Sequence, residues 1–122
     1  MDPKNVERVA VIGAGVMGHS IAQVFAQAGI LAHLVDLRDD LLARALKRVK
    51  SNLWTLADCG RVRPDAIPAI LDRIRPTTDL AAAVRQVDFV LEAVVEIPEV
   101  KKKVFAQIEA ACPEDAVLAS NT

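Results

Sequence analysis

Aromatic side chains are scarce: three phenylalanines, one tryptophan and no tyrosine stand among 122 residues. Apolar residues still make up 52% of the chain, chiefly Ala, Val and Leu. The core must therefore be aliphatic, which suits a parallel sheet covered by helices of small residues. Cysteine is nearly absent too. Cys59 and Cys112 form no disulfide framework and point to two reduced thiols in a cytoplasmic protein. Without a C-x-x-C or clustered histidines and carboxylates, no metal site is expected. Neither sign of charge dominates, since 15 basic and 16 acidic residues leave a net charge of −1. That gives no reason to expect nucleic acid or an acidic membrane surface as a partner. Long hydrophobic runs are missing as well. Met1 to Glu7 is largely polar and charged, and the apolar run behind it is far too short for a signal or transmembrane segment. The length fits one domain, large enough for a core but small for an enzyme.

Glycine is sparing, five residues in all, yet three of them fall between positions 13 and 18. Val9-Ala10-Val11-Ile12 reads as a buried strand, Gly13-Ala14-Gly15-Val16-Met17-Gly18 spells G-x-G-x-x-G, and Ser20 to Ala26 continues with helical character. Gly13 lets the strand bend sharply, Gly15 lets backbone approach a pyrophosphate, and Gly18 lets the helix pack close on the sheet. The free N–H groups of the helix start, with the positive end of its dipole behind them, would face the phosphates. Strand, turn and helix stand in the order a dinucleotide site requires. Asp36, 18 positions after Gly18, ends the next apolar segment. An acid there accepts hydrogen bonds from the adenine ribose hydroxyls and repels a 2′-phosphate, so NAD is expected rather than NADP. Arg38 is the residue able to hold such a phosphate, and a helix cap is the structural alternative for Asp36.

The rest of the chain alternates between strand and helix. Strands are expected at about 8–12 and 30–35, with a helix at about 16–28 between them, ended by Gly29. Asp39 and Asp40 open a long amphipathic helix with Leu41, Leu42, Ala45, Leu46, Val49, Leu53 and Leu56 at helical spacing. Arg44, Lys47, Arg48 and Lys50 lie mostly on its other face, either solvated or attracting a phosphate-bearing ligand. Trp54 is expected in the core or a helix contact. After a turn at 58–64, Asp65 would cap a second helix to about Ile74 with Pro68 in its first turn. These two helices, about 39–74, make a hairpin inserted into the alternating pattern. Residues 75–78 read as a short edge strand or loop, and Thr78 or Asp79 caps a small helix through Gln86. Residues 88–96 form a buried strand running into an acidic loop. Pro98 starts a helix to about Ala111, with Val100, Val104, Phe105 and Ile108 inward and a Glu99–Lys103 pair outside. A last strand covers 116–119.

Such alternation predicts a doubly wound α/β domain of Rossmann type, its sheet mostly parallel. Ligands bind such sheets outside the carboxyl ends of the strands. Residues 13–18, Asp36, 93–96 and 120–122 all fall on that rim, Asn121 among them.

Residues 11–23, Thr77-Thr78-Asp79-Leu80, Glu92-Ala93-Val94-Val95-Glu96, Lys101 to Phe105 and Ala119-Ser120-Asn121-Thr122 together resemble the N-terminal, NAD-binding part of a 3-hydroxyacyl-CoA dehydrogenase. The 3-hydroxybutyryl-CoA dehydrogenases are similar over residues 8–122. The resemblance implies that Gly13, Gly15, Val16, Met17 and Gly18 hold the pyrophosphate and Asp36 the adenosine ribose. It also implies that Glu96 and Lys101 contact the cofactor, that the Ala93 backbone lies beside it, and that Asn121 belongs to the same set. Without it, Glu96 and Lys101 would read as a loop acid and a solvated helix lysine. It further implies hydride transfer between the C3 carbon of an acyl-CoA and the nicotinamide, in fatty acid metabolism. That chemistry uses a histidine base held by a glutamate, with a serine and an asparagine orienting the substrate. In the family pattern the histidine opens an H-F-F-N-P segment absent here, and His19 and His33 are no substitutes.

The sequence is thus expected to be an incomplete NAD-binding domain, 1–122, with no catalytic residue of its own. Turnover and a homodimer would need a C-terminal domain that is missing. Asn52 and Cys59 stand where some family members have a serine and a lysine touching the CoA nucleotide. Other readings are a dehydrogenase of carnitine or a sugar acid, and a stand-alone nucleotide-binding module.

Overall fold

The computed structural model describes residues 6–94 and 97–120. Five strands, β1 (Arg8–Ile12), β2 (Leu31–Val35), β3 (Ile74–Thr77), β4 (Phe89–Glu92) and β5 (Val117–Ser120), form one sheet. Its order is β3-β2-β1-β4-β5 and every pairing is parallel. Helices α1 (Val16–Gln27), α2 (Asp39–Asp58), α3 (Ile67–Asp72), α4 (Leu80–Val84) and α5 (Pro98–Ala111) connect them, with a 3-10 turn at Pro64–Ala66 before α3.

Successive side chains of a strand point to opposite faces, and the two apolar faces here make two cores. Val9 and Val11 of β1 and Ala32 and Leu34 of β2 pack with Ala22 and Ala26 of α1, and with Leu42, Ala45, Val49 and Leu53 of α2. Ala10, Ile12, Val35 and Val90 face the other way, against Ala83 and Val84 of α4 and Ile108 of α5. The chain reaches β3 at one edge and then crosses back past β2 and β1 to lay down β4. The carboxyl ends of β1 and β4 therefore flank the topological switch point, where open α/β sheets bind ligands.

Several boundaries differ from the sequence reading. The second helix of the hairpin stops at Asp72, because Ile74 turns inward as the first residue of β3. Asp65 caps nothing and pairs instead with Arg63 at 2.8 Å. Trp54 is not core: it is 45% exposed. The seam of α2 runs through Leu42, Ala45, Val49 and Leu53, and the residue after Leu53 is rotated about 100° off it. Asp79 does cap α4, accepting the Ala82 N–H at 3.1 Å. On α5, Ile108 is buried and Val104 and Phe105 partly so, whereas Val100 is exposed. Among the described residues no ion pair joins Glu99 to Lys103.

Candidate functional site

The turn leaving β1 is shaped by contacts that only glycine allows. Gly13 has φ +109°, and a Cβ there would lie 2.6 Å from the Ala93 carbonyl oxygen. Its N–H donates to the Val35 carbonyl at 2.7 Å, while the Ala93 N–H donates to the Ile12 carbonyl at 2.8 Å. The ends of β1, β2 and β4 are thus locked together. Gly18 sits in the first turn of α1, where a Cβ would fall 1.6 Å from the Gly13 carbonyl oxygen. Gly15 differs from both, since a Cβ there would meet nothing within 4 Å. It faces open space at the mouth of the turn.

The start of α1 completes a cradle. Gly15 provides no side-chain cap, the first turn carries no acid, and the first intrahelical bond runs from the His19 N–H to the Gly15 carbonyl at 3.1 Å. The preceding N–H groups have no intrahelical acceptor, so the positive end of the helix is available to an anion. Val16 and Met17 are 70% and 53% exposed on this rim, apolar surface that a ligand in the cradle would cover.

Asp36 follows β2, one strand away. Its Oδ2 accepts the Ala14 N–H at 2.9 Å and its Oδ1 accepts the Leu37 N–H at 2.7 Å. The first bond ties the carboxylate to the glycine turn, the second to its own loop, and both leave further lone pairs for hydroxyl donors. A cleft of about 110 Å³ opens beside it, lined by Ala14, Gly15, Asp36, Leu41, Arg44, Ala45 and Arg48. Two of the four basic residues on the polar face of α2 thus border the site. Arg38 does not line the cleft; its guanidinium pairs with Asp40 at 3.0 Å.

The other side of the rim holds a group to which the sequence reading gave no role of its own. Glu92, the last residue of β4, is 0% exposed. Its Oε2 accepts the Val94 N–H at 2.7 Å, its Oε1 accepts the Ser120 hydroxyl at 2.8 Å, and the Lys101 ammonium lies 3.7 Å from Oε1. Lys101 is accordingly no solvated lysine, with 17% of its side chain exposed. The available signal was an acid inside the apolar run Phe89-Val90-Leu91-Glu92-Ala93-Val94, because a buried charge requires partners. Ser120 belongs to β5 itself rather than to the loop after it. Glu96 and Asn121 lie outside the described residues.

Neither histidine is placed as a base at the cradle. His19 is buried, and its Nδ1 donates to the Gly15 carbonyl at 2.8 Å, bracing the turn. His33 lies within β2 beside Arg75 of β3. Burial pushes its pKa below the ordinary 6.5, and the charges of Arg75 and Arg8 push it the same way. Both cysteines are free, Cys59 exposed and Cys112 partly buried. Asn52 donates its amide to the Gln23 Oε1 at 3.2 Å, joining α2 to α1. Among the described residues no three metal-binding side chains cluster, and no helix is long and apolar enough to cross a membrane.

Comparison with known proteins gives the same picture. The family described as "3-hydroxyacyl-CoA dehydrogenase, NAD binding domain" matches residues 8–122. A probable 3-hydroxyacyl-CoA dehydrogenase of Caenorhabditis elegans is 32% identical over 123 residues, which is 98% of this chain and 41% of that protein. The fatty acid oxidation complex subunit alpha of Idiomarina loihiensis is 40% identical over 119 residues, 98% of this chain and 16% of that protein. Among solved structures, 3-hydroxybutyryl-CoA dehydrogenase of Escherichia coli superposes with a TM-score of 0.91 at 38% identity, over 97% of this chain and 25% of that one. The chain therefore spans less than half the length of these relatives. The fit of a backbone cradle, an uncapped helix start and a fixed acid to an adenine dinucleotide agrees with the matched family: the chain belongs to the 3-hydroxyacyl-CoA dehydrogenases, as their NAD-binding domain.

Proposed function

We propose that this chain binds NAD along the carboxyl rim of its sheet and serves as the cofactor-binding part of an enzyme acting on 3-hydroxyacyl-CoA. The observation that carries the reading is the open approach at Gly15 beside an uncapped helix start. In this reading the backbone at Gly13, Gly15, Val16, Met17 and Gly18 surrounds the pyrophosphate, and Asp36 takes the adenosine ribose hydroxyls. The Ala93 backbone and Lys101 extend the site towards β4, with Glu96 and Asn121 completing it. NAD, when bound, supplies the hydride acceptor. The chain's own residues hold and orient it, and Arg44 and Arg48 favour an anionic ligand at the cleft.

The family and the relatives' names support this choice of substrate. Because His19 is engaged with Gly15 and His33 lies inside the sheet, this chain holds NAD without turning over acyl-CoA. The base and the homodimer contact belong to the further length that the relatives possess, in a cytoplasmic enzyme. A fluorescence titration with NADH and NADPH, wild type beside Asp36→Ala, tests the binding half of this reading. A preference for NADH, with affinity reduced about tenfold or more in the variant, is expected from loss of charge-assisted hydrogen bonds. A folded chain that ignores both nucleotides refutes it. NADH formation from 3-hydroxybutyryl-CoA by this chain alone would refute the assignment of catalysis elsewhere.

A further inference from the structure

The inward stripe of α5 holds an anomaly. Positions 101, 104, 105, 108 and 111 recur at helical spacing and are buried or partly buried, and the first of them is a lysine. An ammonium on a core-facing stripe needs an anion, and Glu92, 0% exposed at the end of β4, lies 3.7 Å away. The same carboxylate accepts the Val94 N–H and the Ser120 hydroxyl, so it joins β4, β5, α5 and the backbone just after β4. That backbone belongs to the cradle: the Ala93 carbonyl lies 2.6 Å from where a Gly13 Cβ would stand. The cluster thus sits at the sheet's rim, one strand from the glycine turn.

Opposite charges in contact cancel, so the pair adds little net attraction for an anion. What it supplies is order. A lysine side chain loses considerable rotamer freedom when it is fixed, and a side chain already held in place does not incur that loss again when a ligand arrives. We infer that Glu92 is a positioning residue for the cofactor: it fixes the Lys101 ammonium and the turn at 93–94 against the glycine cradle, so that both are in place before binding. The inference rests on the NAD-binding reading above.

Charge and position predict opposite signs. Replacing Glu92 by Gln makes the rim one unit more positive, which by Coulomb attraction alone tightens an anionic dinucleotide. Loss of positioning weakens it. The test is NADH titration of the intact 122-residue chain as wild type, Glu92→Gln, Lys101→Met and the double variant, with melting curves of each. Glu92→Gln is expected to weaken NADH at least about threefold and to add no further loss in the Lys101→Met background, as coupled neighbours do. A purely structural Glu92 lowers the melting temperature and leaves that coupling absent. Tighter or unchanged binding by Glu92→Gln overturns the inference, and so do losses that multiply in the double variant. If Glu92→Gln melts below the titration temperature, Glu92→Asp carries the same cycle, keeping the charge while withdrawing the carboxylate by one methylene. Weaker binding, coupled to Lys101, is again required. A wild type that ignores NADH refutes the NAD-binding reading itself, a result separate from a binding chain without coupling.

Discussion

Adding one methyl group at Gly18 and one at Gly15 separates what the turn does for folding from what it does for binding. A Cβ on Gly18 would stand 1.6 Å from the Gly13 carbonyl oxygen and 2.7 Å from its carbon. Neither atom can yield, because the Gly13 N–H is bonded to Val35 at 2.7 Å and Gly13 itself is pressed against Ala93. Restoring an ordinary separation requires the first turn of α1 to move by roughly 1.5–2 Å. Overpacking costs about 1–3 kcal/mol or more, and a backbone-to-methyl clash belongs at the upper end. Alanine's better helix propensity returns at most about 1 kcal/mol. A net loss of roughly 2–3 kcal/mol, over an unfolding entropy of roughly 0.26 kcal/mol/K for this length, lowers Tm by about 8–12 °C. Gly15→Ala meets nothing within 4 Å and keeps an allowed φ of −69°. Its Tm should fall by only about 2–4 °C, the cost of exchanging a glycine N-cap for the poorer alanine. In the proposed site the new methyl group nevertheless points where the pyrophosphate would approach, so NADH affinity should fall about tenfold or more. Melting followed by circular dichroism and NADH titration of both variants check this. A Gly18→Ala protein as stable as wild type, or a Gly15→Ala protein that binds NADH normally, refutes the reasoning.

Three other perturbations follow from named contacts. Because the folded-state pKa of His33 is lowered, the unfolded chain binds that proton first as pH falls. Stability should be unaffected by His33 at neutral pH and lost progressively as pH drops through about 6.5 towards the lower folded value. Urea melts of wild type and His33→Leu between pH 7.5 and 5 should converge in slope only if this is wrong. Leu53→Ala removes a fully buried side chain from the α2 seam and should cost about 2–5 kcal/mol. Trp54→Ala, one position along, should cost under about 1 kcal/mol, and equal losses by denaturant titration would contradict the orientation of α2. Asn52→Ala strips the buried Gln23 Oε1 of a donor. It should destabilise by about 1–2 kcal/mol while NADH affinity stays within about twofold of wild type, measured by melting and titration.

The fold was legible where pattern and stop signals coincide. The β1 strand and α1 were placed within a residue or so because the glycine turn separates a β-branched run from a helical one. In α5, Pro98 marks the start and Ala111 the end. The α3–β3 boundary was illegible for a physical reason. Ile70 and Ile74 are four apart and both buried, so helical spacing continues unbroken across the switch to strand. Of the two places open to Trp54, the core is excluded by its angle around the helix axis, one residue past the buried Leu53, which its apolar type does not reveal. The Gly13-to-Gly18 turn and its proximity to Asp36 were readable because spacing encodes them. The Glu92–Lys101–Ser120 cluster was not, since it joins residues separated by up to 28 positions through strand order, which no local pattern carries.

That contrast bears on how the two sides of the rim divide the work. On the β1–β2 side the groups proposed to face the ligand are backbone N–H donors, so the sequence need specify only where side chains are absent, and glycine does that at fixed spacing. Asp36 fits the same scheme, because its carboxylate is held by the N–H groups of Ala14 and Leu37 rather than by other side chains. On the β4–β5 side the groups are long charged side chains, which must be held by one another. Holding them requires a buried acid, and a buried ion pair is costly unless its remaining polar atoms are satisfied. Glu92 meets that condition with a backbone donor, a hydroxyl and an ammonium. On the β1 side, Val16 and Met17, exposed on the rim, can therefore change without disturbing the backbone donors, whereas Ala14, 5% exposed, packs in the core and cannot. On the β4 side, replacing Lys101 or Ser120 takes a partner from the buried Glu92 carboxylate, so these side chains constrain one another.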